Sequence, residues 1–358
     1  DLVENVILWE EGAVSAQGQF LEASETEEVG RVEAIELMPS ARGPKTPSVV
    51  LHVYEGSTQE VLYGAERDVG RMTPEEILQA VQDSGMVGLG GAAFPTHVKM
   101  KPPPEHTVDT LVVNGCECEP YLTCDHRLML EQTGHLLAGI GIVMRALGVD
   151  RCMIGVEDNK PDAVAAIAAR LPEHGRISVH AVQTKYPQGG EKQLIQVLTG
   201  LEVPSGGRPT DLGLLCQNVA TATAVARAVA DGKPLVERIV TVTGNGVHGP
   251  RNLLTPIGTP ISSIVAQCGG YTADAARLVL GGPMMGYPLA TDGSPVIKAA
   301  NCILVMTEDD IRDLGDFIAS LQPDVEAGRV RWSKLSEMAA SWTTDHGSRP
   351  FRYDCGEE

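Results

Sequence analysis

The chain has 358 residues, 43% hydrophobic but only 4% aromatic, with 39 glycines, 23 prolines and a formal net charge of −19. That length allows two or three packed domains, and the composition suits a loop-rich α/β protein better than a helical bundle or a disordered chain. The charge argues against a nucleic-acid binder, which needs clustered Lys and Arg, and the longest apolar run, His135 to Gly148, is too short and too broken by Arg145 to span a bilayer.

The eight cysteines follow no framework spacing, which points to a reducing compartment. The acidic opening DLVENVILWEEG has no basic n-region of a signal peptide. It does not start with Met, so the native N-terminus is expected to lie further upstream.

In chain order, residues 1–72 read as a β-rich module, from the short β-prone runs NVILWEEG, GRVEAIELMP and SVVLHVYEG. Thr73 then caps a helix, TPEEILQAVQDSG, with Pro74 at its first position and Gly85 at its end. From residue 73 to 235 strands alternate with helices. LVVNG precedes a cysteine turn and a long helix from about Arg127 to Leu147; CMIGV, ISVHAV and LGLLCQNV are strands, each followed by a helical segment. This βαβα rhythm predicts a mainly parallel sheet with helices on both faces. Residues 236–306 form a compact β-α-β unit, and 307–358 an unassigned helical and polar tail.

Two stretches carry the chemistry. GLGGAAFPTHVK (Gly88 to Lys99) is a glycine loop entering a helix, where backbone amides of Gly88, Gly90 and Gly91 can converge on an anion and Lys99 adds charge. A bare GxGG run is more often an ordinary turn, and here a helix rather than a strand precedes it. Phe94 adds a stacking face for a planar ring. NGCECEP (Asn114 to Pro120) sits where a strand ends, the ligand edge of an α/β sheet. Asn114 suits a heterocycle or ribityl chain, and Glu117 and Glu119 suit ribose hydroxyls; the plainer alternative is a solvated acidic turn.

Cys116, Cys118 and Cys124, with Asp125 and His126, invite a metal reading, but the spacing is not CxxC and no fourth thiolate is near, so no metal is assigned. KYPQGGEKQ brings Tyr186, Gly189, Gly190 and Glu191 to a second junction, and QNVAT brings Asn218 and Thr221 to a third. The glycine turns VTGNGVHGP and GGPMMGY read as tight turns only. No GxSxG elbow or HExxH motif supports hydrolysis.

These junctions, in this order, resemble the NADH:flavin module shared by the C subunit of the Rnf electron-transport complex and the flavoprotein subunit of respiratory complex I. GLGGAAFPTHVK, NGCECEPYLTCDHRLM, KYPQGGEKQLI, QNVAT, RIVTVTG, IGTPIS, LGGPMMG and NCIL match the Rnf protein more closely, over about Gly30 to Met306. The resemblance implies a Rossmann-like FMN- and NADH-binding α/β domain, a small β-grasp domain of the SLBB type, and a lipoyl-like N-terminal module that looks incomplete before Gly30.

It also implies roles. Gly88, Gly90, Gly91 and Lys99 would hold the FMN phosphate region, and a Cβ at Gly91 is expected to intrude where the backbone approaches the phosphate. Asn114, Glu117, Asn218 and Thr221 would contact the flavin and its ribityl chain. Tyr186, Gly189, Gly190 and Glu191 would line the pocket, while Phe94 and Glu119 would face the nicotinamide nucleotide; Glu191 and Glu119 are the catalytic candidates. Leu89 and Cys116 depart from the complex I relative, which has an arginine and an acidic residue there.

The implied activity is NADH oxidation through FMN, with single electrons passing to an iron–sulfur carrier in a membrane-bound complex on the cytoplasmic face. The iron–sulfur clusters expected of the family have no CxxCxxCxxxCP ligands here, since only Cys355 follows Met306. A soluble flavin-dependent cobalamin reductase of the same family, or a scaffold that keeps the fold without electron transfer, are the alternative readings.

Overall fold

The computed structural model describes residues 5–9, 30–40, 43–53, 66–172 and 175–312. The expected tail after residue 312 lies outside them. Strands β1 (Asn5–Trp9), β2 (Gly30–Ser40) and β3 (Gly43–Val53) form a three-stranded sheet with β3 central, parallel to β1 and antiparallel to β2.

Helix α1 (Pro74–Asp83) forms as expected. Thr73 and Glu76 make a reciprocal capping box, and Pro74 occupies the first turn, where its missing N–H costs nothing. Ile77 and Val81, four residues apart, are fully buried against the core. Gly85, at φ +61°, turns the chain out of the helix. A single turn, α2 (Thr96–Lys99), follows the glycine loop.

The central sheet then builds up from β4 (Thr110–Gly115), α3 (Cys124–Glu131), α4 (Thr133–Leu147), β5 (Arg151–Glu157), α5 (Pro161–Ala168), β6 (Ile177–Val182), α6 (Glu191–Thr199), β7 (Leu214–Asn218) and α7 (Val219–Ala230). Its order is β6-β5-β4-β7, all parallel. From β4 the chain winds one way through β5 and β6, then returns to place β7 on the other side of β4. The switch point therefore lies between β4 and β7.

Side-chain alternation explains why the sheet is covered twice. Leu111 and Val113 join the core of α1, α4 and α7, whereas Val112 joins a second core with Leu194 and Ile195 of α6. Each such fully buried aliphatic contributes roughly 1.5–3 kcal/mol.

The long helix expected from Arg127 to Leu147 is two helices. Gln132 leaves helical geometry at φ −117° and ψ 26°, and the Thr133 hydroxyl bonds back to the Met129 carbonyl at 2.6 Å. Thr and Gly are poor helix formers, and the Thr133–Gly134 step is where the break is cheapest.

The remaining unit contains β8 (Glu237–Thr243), β9 (Arg251–Pro256), α8 (Ile261–Gln267), β10 (Ala275–Leu280), β11 (Tyr287–Pro288) and β12 (Cys302–Thr307). Its mixed sheet runs β11-β10-β12-β8-β9, with β12 parallel to β8, and it has its own core around Val240, Ile264 and Ile303. Among the described residues no helix is long and apolar enough to cross a membrane.

Helices α4 and α7 touch through Gly139, where an added Cβ would run into the Ala222 carbonyl; Gly141, in the same helix, faces open space. Gly139→Ala should therefore cost about 1–3 kcal/mol through overpacking, lowering the Tm by several degrees. Gly141→Ala should instead gain about 0.5–1 kcal/mol from helix propensity. Thermal unfolding of the two variants checks this, and equal effects would contradict the packing described.

Candidate functional site

The carboxyl ends of β4 and β7 place Asn114 directly opposite Asn218 as register partners at the switch point. Both carboxamides are committed to holding loops. Asn114 donates to the Gly189 carbonyl at 2.8 Å and accepts from the Cys116 amide at 3.0 Å. Asn218 caps α7, accepting from the amides of Ala220 and Thr221, and donates to Asp125 at 2.6 Å. The three sequence junctions thus meet at one edge.

The glycine loop closes on itself: Gly88 N–H donates to the Phe94 carbonyl at 2.8 Å, and Thr96 N–H to the Met86 carbonyl at 3.0 Å. Gly88 therefore spends its amide on the neck of the loop. Gly90 lies against Asn218, where an added Cβ would come within 3.3 Å of the Asn218 Cβ, and its own N–H has no acceptor among the described residues. Gly91 sits at φ +107°, a conformation only glycine adopts readily. The helix after the loop is one turn, so its dipole contributes little, and positive charge comes from Lys99. That ammonium pairs with Glu191 at 2.6 Å, both side chains about one-third exposed. Phe94 is half exposed beside the loop.

The turn after β4 is built on buried charge. The Glu117 carboxylate accepts from the Asp125 amide at 2.9 Å, the His126 amide at 3.3 Å and the Cys124 thiol at 3.4 Å, so it fastens the start of α3. Burial, then the neighbouring Asp125, push its pKa up. Its amide donates to Glu157, which also holds Lys160 at 2.7 Å in a pair almost wholly buried. Burial works against the Lys160 charge, but Glu157 and Glu117 outweigh it and raise its pKa.

Glu119 reaches the small unit. Its carboxylate accepts from the Met284 amide at 3.0 Å, and Gly282 leaves the room, since a Cβ there would collide with it. Burial raises the Glu119 pKa to about 7. Its second oxygen has no partner among the described residues, and neither does the Gln188 carboxamide, which is 1% exposed. Unpartnered buried polar atoms at a cleft are groups that a ligand would satisfy. Tyr186 and Gly190 lie in the same turn as Gln188, and Thr221 accepts the Leu89 amide at 2.9 Å.

Cys116 leans toward the Gly155 carbonyl and Cys124 toward Glu117, while His126 bonds Asp162 at 2.8 Å. Among the described residues, Glu117, Cys124 and Asp125 bring three ligand-type atoms within 4.8 Å of one another. They already have amide, thiol and carboxamide donors, and the cationic Lys160 and Arg238 act on them. In this arrangement Glu117 caps the start of α3.

Comparison with known proteins agrees with this architecture. Residues 81–227 match the family described as the Nuo51 FMN-binding domain, and 239–288 match the SLBB domain. A chain of an NAD+-reducing [NiFe]-hydrogenase in the H2-reduced state has the same fold, with TM-score 0.54 and 24% identity over 69% of this chain and 48% of that one. The class is thus an α/β FMN-binding domain joined to an SLBB domain.

Among its relatives, the C subunit of the Na+-translocating ferredoxin:NAD+ oxidoreductase complex of Acetobacterium woodii is 42% identical, covering 79% of this chain and 64% of that protein. The C subunit of the proton-translocating ferredoxin:NAD+ oxidoreductase complex of Clostridium ljungdahlii is 43% identical, covering 69% and 54%. The C subunit of the ion-translocating oxidoreductase complex of Rhodobacter capsulatus is 45% identical, covering 72% and 49%. The chain belongs to this family of Rnf-type C subunits, and it spans roughly half to two-thirds of the length of these relatives.

Several residues at the site carry no signal strong enough to single them out from sequence. Glu157 ends β5 and Lys160 caps the following α5, in VEDNK at the same carboxyl edge as NGCECEP, so the edge rule alone could have found them. Gln188 lies inside the KYPQGGEKQ motif. Arg238 and Met284 carry no local signal, because they act from another domain.

The raised pKa of Glu119 has a pH signature. Between 4.5 and about 7 the folded chain keeps a proton there that the unfolded chain releases, so stability is lost as pH rises through that window. Glu119→Gln keeps the acceptor for Met284 and removes the charge. The Tm of this variant minus that of wild type should grow from pH 4.5 to 7 and then level off. A difference that is flat with pH would contradict the assignment.

Proposed function

We propose that this chain is the NADH-oxidising flavoprotein part of an Rnf-type complex, holding FMN in the switch-point cleft and passing electrons to an iron–sulfur carrier. The observation that carries this reading is the meeting of the glycine loop, Asn114, Asn218 and the 186–191 turn at one sheet edge, with an unbonded glycine amide, a lysine and unpartnered buried polar atoms around it. That set fits a phosphorylated, planar, hydrogen-bonding cofactor, and the match to an FMN-binding family supports the same group.

When bound, FMN accepts a hydride equivalent from a nicotinamide and releases electrons singly. The chain supplies binding, orientation and proton control. The Gly90 and Gly91 backbone and Lys99 would hold the phosphate, with Lys99 sharing its charge between the phosphate and Glu191. Asn114 and Asn218 fix the loops around the site, and Gly189 lets the 186–191 turn pack closely on the Cys116 carbonyl, where a Cβ would collide. Phe94 and Tyr186 offer ring faces for stacking. The unpartnered Gln188 carboxamide provides both a donor and an acceptor for a heterocycle edge.

Glu119, anchored by Met284, holds a proton near neutral pH at its unbonded oxygen and gives it up on charging; Glu191 presents a carboxylate to ribose hydroxyls or positions Lys99. The assignment of NAD(H) as donor, of the cytoplasmic membrane face and of the other complex subunits as partners rests on the family.

Flavin titration tests the site. Apo-protein should quench FMN fluorescence at one flavin per chain, and Gly91→Val should lose the flavin on a desalting column. Two effects act together: the expected intrusion of a Cβ into the space where the phosphate would lie, and backbone conformation. A Cβ at Gly91 meets open space in the chain, but φ +107° is closed to a β-branched residue. Full flavin occupancy in Gly91→Val would overturn the site.

A further inference from the structure

Leu89, between the two sides of the glycine loop, is pinned at both its peptides. Its N–H donates to the Thr221 hydroxyl at 2.9 Å, and its carbonyl accepts from the Arg238 guanidinium at 3.3 Å. Arg238 comes from β8 of the SLBB domain, is 4% exposed, and directs its other bonds to the carbonyls of Lys298 and Ile239. It makes no ion pair with a carboxylate among the described residues. Burying a guanidinium is expensive, and here its hydrogen bonds are spent on backbone.

The consequence for the loop follows from peptide geometry. In a planar trans peptide the C=O and the next N–H point to opposite sides. Arg238 draws the Leu89 carbonyl toward the SLBB domain, so the Gly90 N–H is turned away from that domain. Gly90 itself lies against Asn218, at the switch point, and its amide has no acceptor among the described residues. An uncommitted amide held in a fixed direction at the cleft is what an anion-binding loop requires.

We infer that Arg238 is the positioning residue that aims the Gly90 amide at the cofactor phosphate, so that the SLBB domain completes the phosphate site from outside the FMN-binding domain. This rests on the FMN reading above. It assigns no direct phosphate contact to Arg238, whose guanidinium is occupied by carbonyls. The inference separates phosphate recognition from flavin recognition: loosening the Leu89 peptide should weaken FMN, which carries the phosphate, and spare riboflavin, which lacks it.

A second tie between the domains provides the control. The Lys298 side chain of the SLBB domain donates to the Gly85 carbonyl at 2.9 Å, just before the loop, whereas only its backbone carbonyl bonds Arg238. If Arg238 served only to glue the domains, Lys298→Met and Arg238→Met would act alike.

The test is to measure the affinities of the purified chain for FMN and riboflavin by fluorescence quenching, in wild type, Arg238→Met, Arg238→Lys and Lys298→Met. Arg238→Met is expected to lose at least tenfold in the FMN-to-riboflavin affinity ratio, with riboflavin binding unchanged. Arg238→Lys should recover part of it, and Lys298→Met should lower the Tm but leave the ratio at the wild-type value. Should Arg238→Met fail to fold, Thr221→Val, which removes the other pin on Leu89, is expected to show the same selective loss. An unchanged ratio in the folded Arg238 or Thr221 variants, or a parallel loss of both flavins, would overturn the inference. Wild type that binds neither flavin would instead overturn the cofactor reading, and the inference with it.

Discussion

The pairing of β4 with β7 is the constraint on which the rest of the site depends. It sets Asn114 opposite Asn218 at the one place in the sheet where the winding reverses. Neither side chain is spare: one holds the 186–191 turn, the other caps α7 and reaches α3 through Asp125. A parallel sheet leaves a crevice at such a point because the flanking connections depart to opposite faces. Three loops meet there, each tied to that asparagine pair by a hydrogen bond or by direct packing.

Charge is what makes the arrangement specific, and it is also costly. Glu117, Asp125, Glu157, Lys160 and Arg238 are all buried and bonded to amides, carbonyls or an opposite charge, although one Glu157 oxygen is left without a partner among the described residues. Buried ionic networks contribute little net stability, yet removing one member leaves the others uncompensated. The acidic turn after β4, which from sequence reads as either a ribose site or a solvated loop, is divided. Glu117 turns inward as a helix cap, whereas Glu119 crosses to the SLBB domain with one oxygen unpartnered.

Much of the fold could be read from the sequence because its signals are local. The Thr73–Glu76 capping box, the strand-to-turn junctions and the βαβα rhythm each depend on a few adjacent residues. So do the long motifs, which carry both the α/β FMN-binding domain and the SLBB unit. What escaped was non-local. The break at Gln132 depends on a weak Thr-Gly step inside a strongly apolar run. Arg238, Met284 and Gly282 acquire their roles only when the SLBB domain packs against the glycine loop and Glu119. GGPMMG reads as a tight turn because nothing within it shows that a carboxylate from far earlier in the chain, at Glu119, would fill the space its glycine leaves.

The most direct test of the central claim is the absorption spectrum of the FMN-loaded protein before and after anaerobic NADH. Bleaching of the flavin band at stoichiometric NADH is the expected result, since the cleft is held to bring the nicotinamide and the flavin together. A band that stays unchanged by NADH, in protein shown to retain its flavin, would contradict the account.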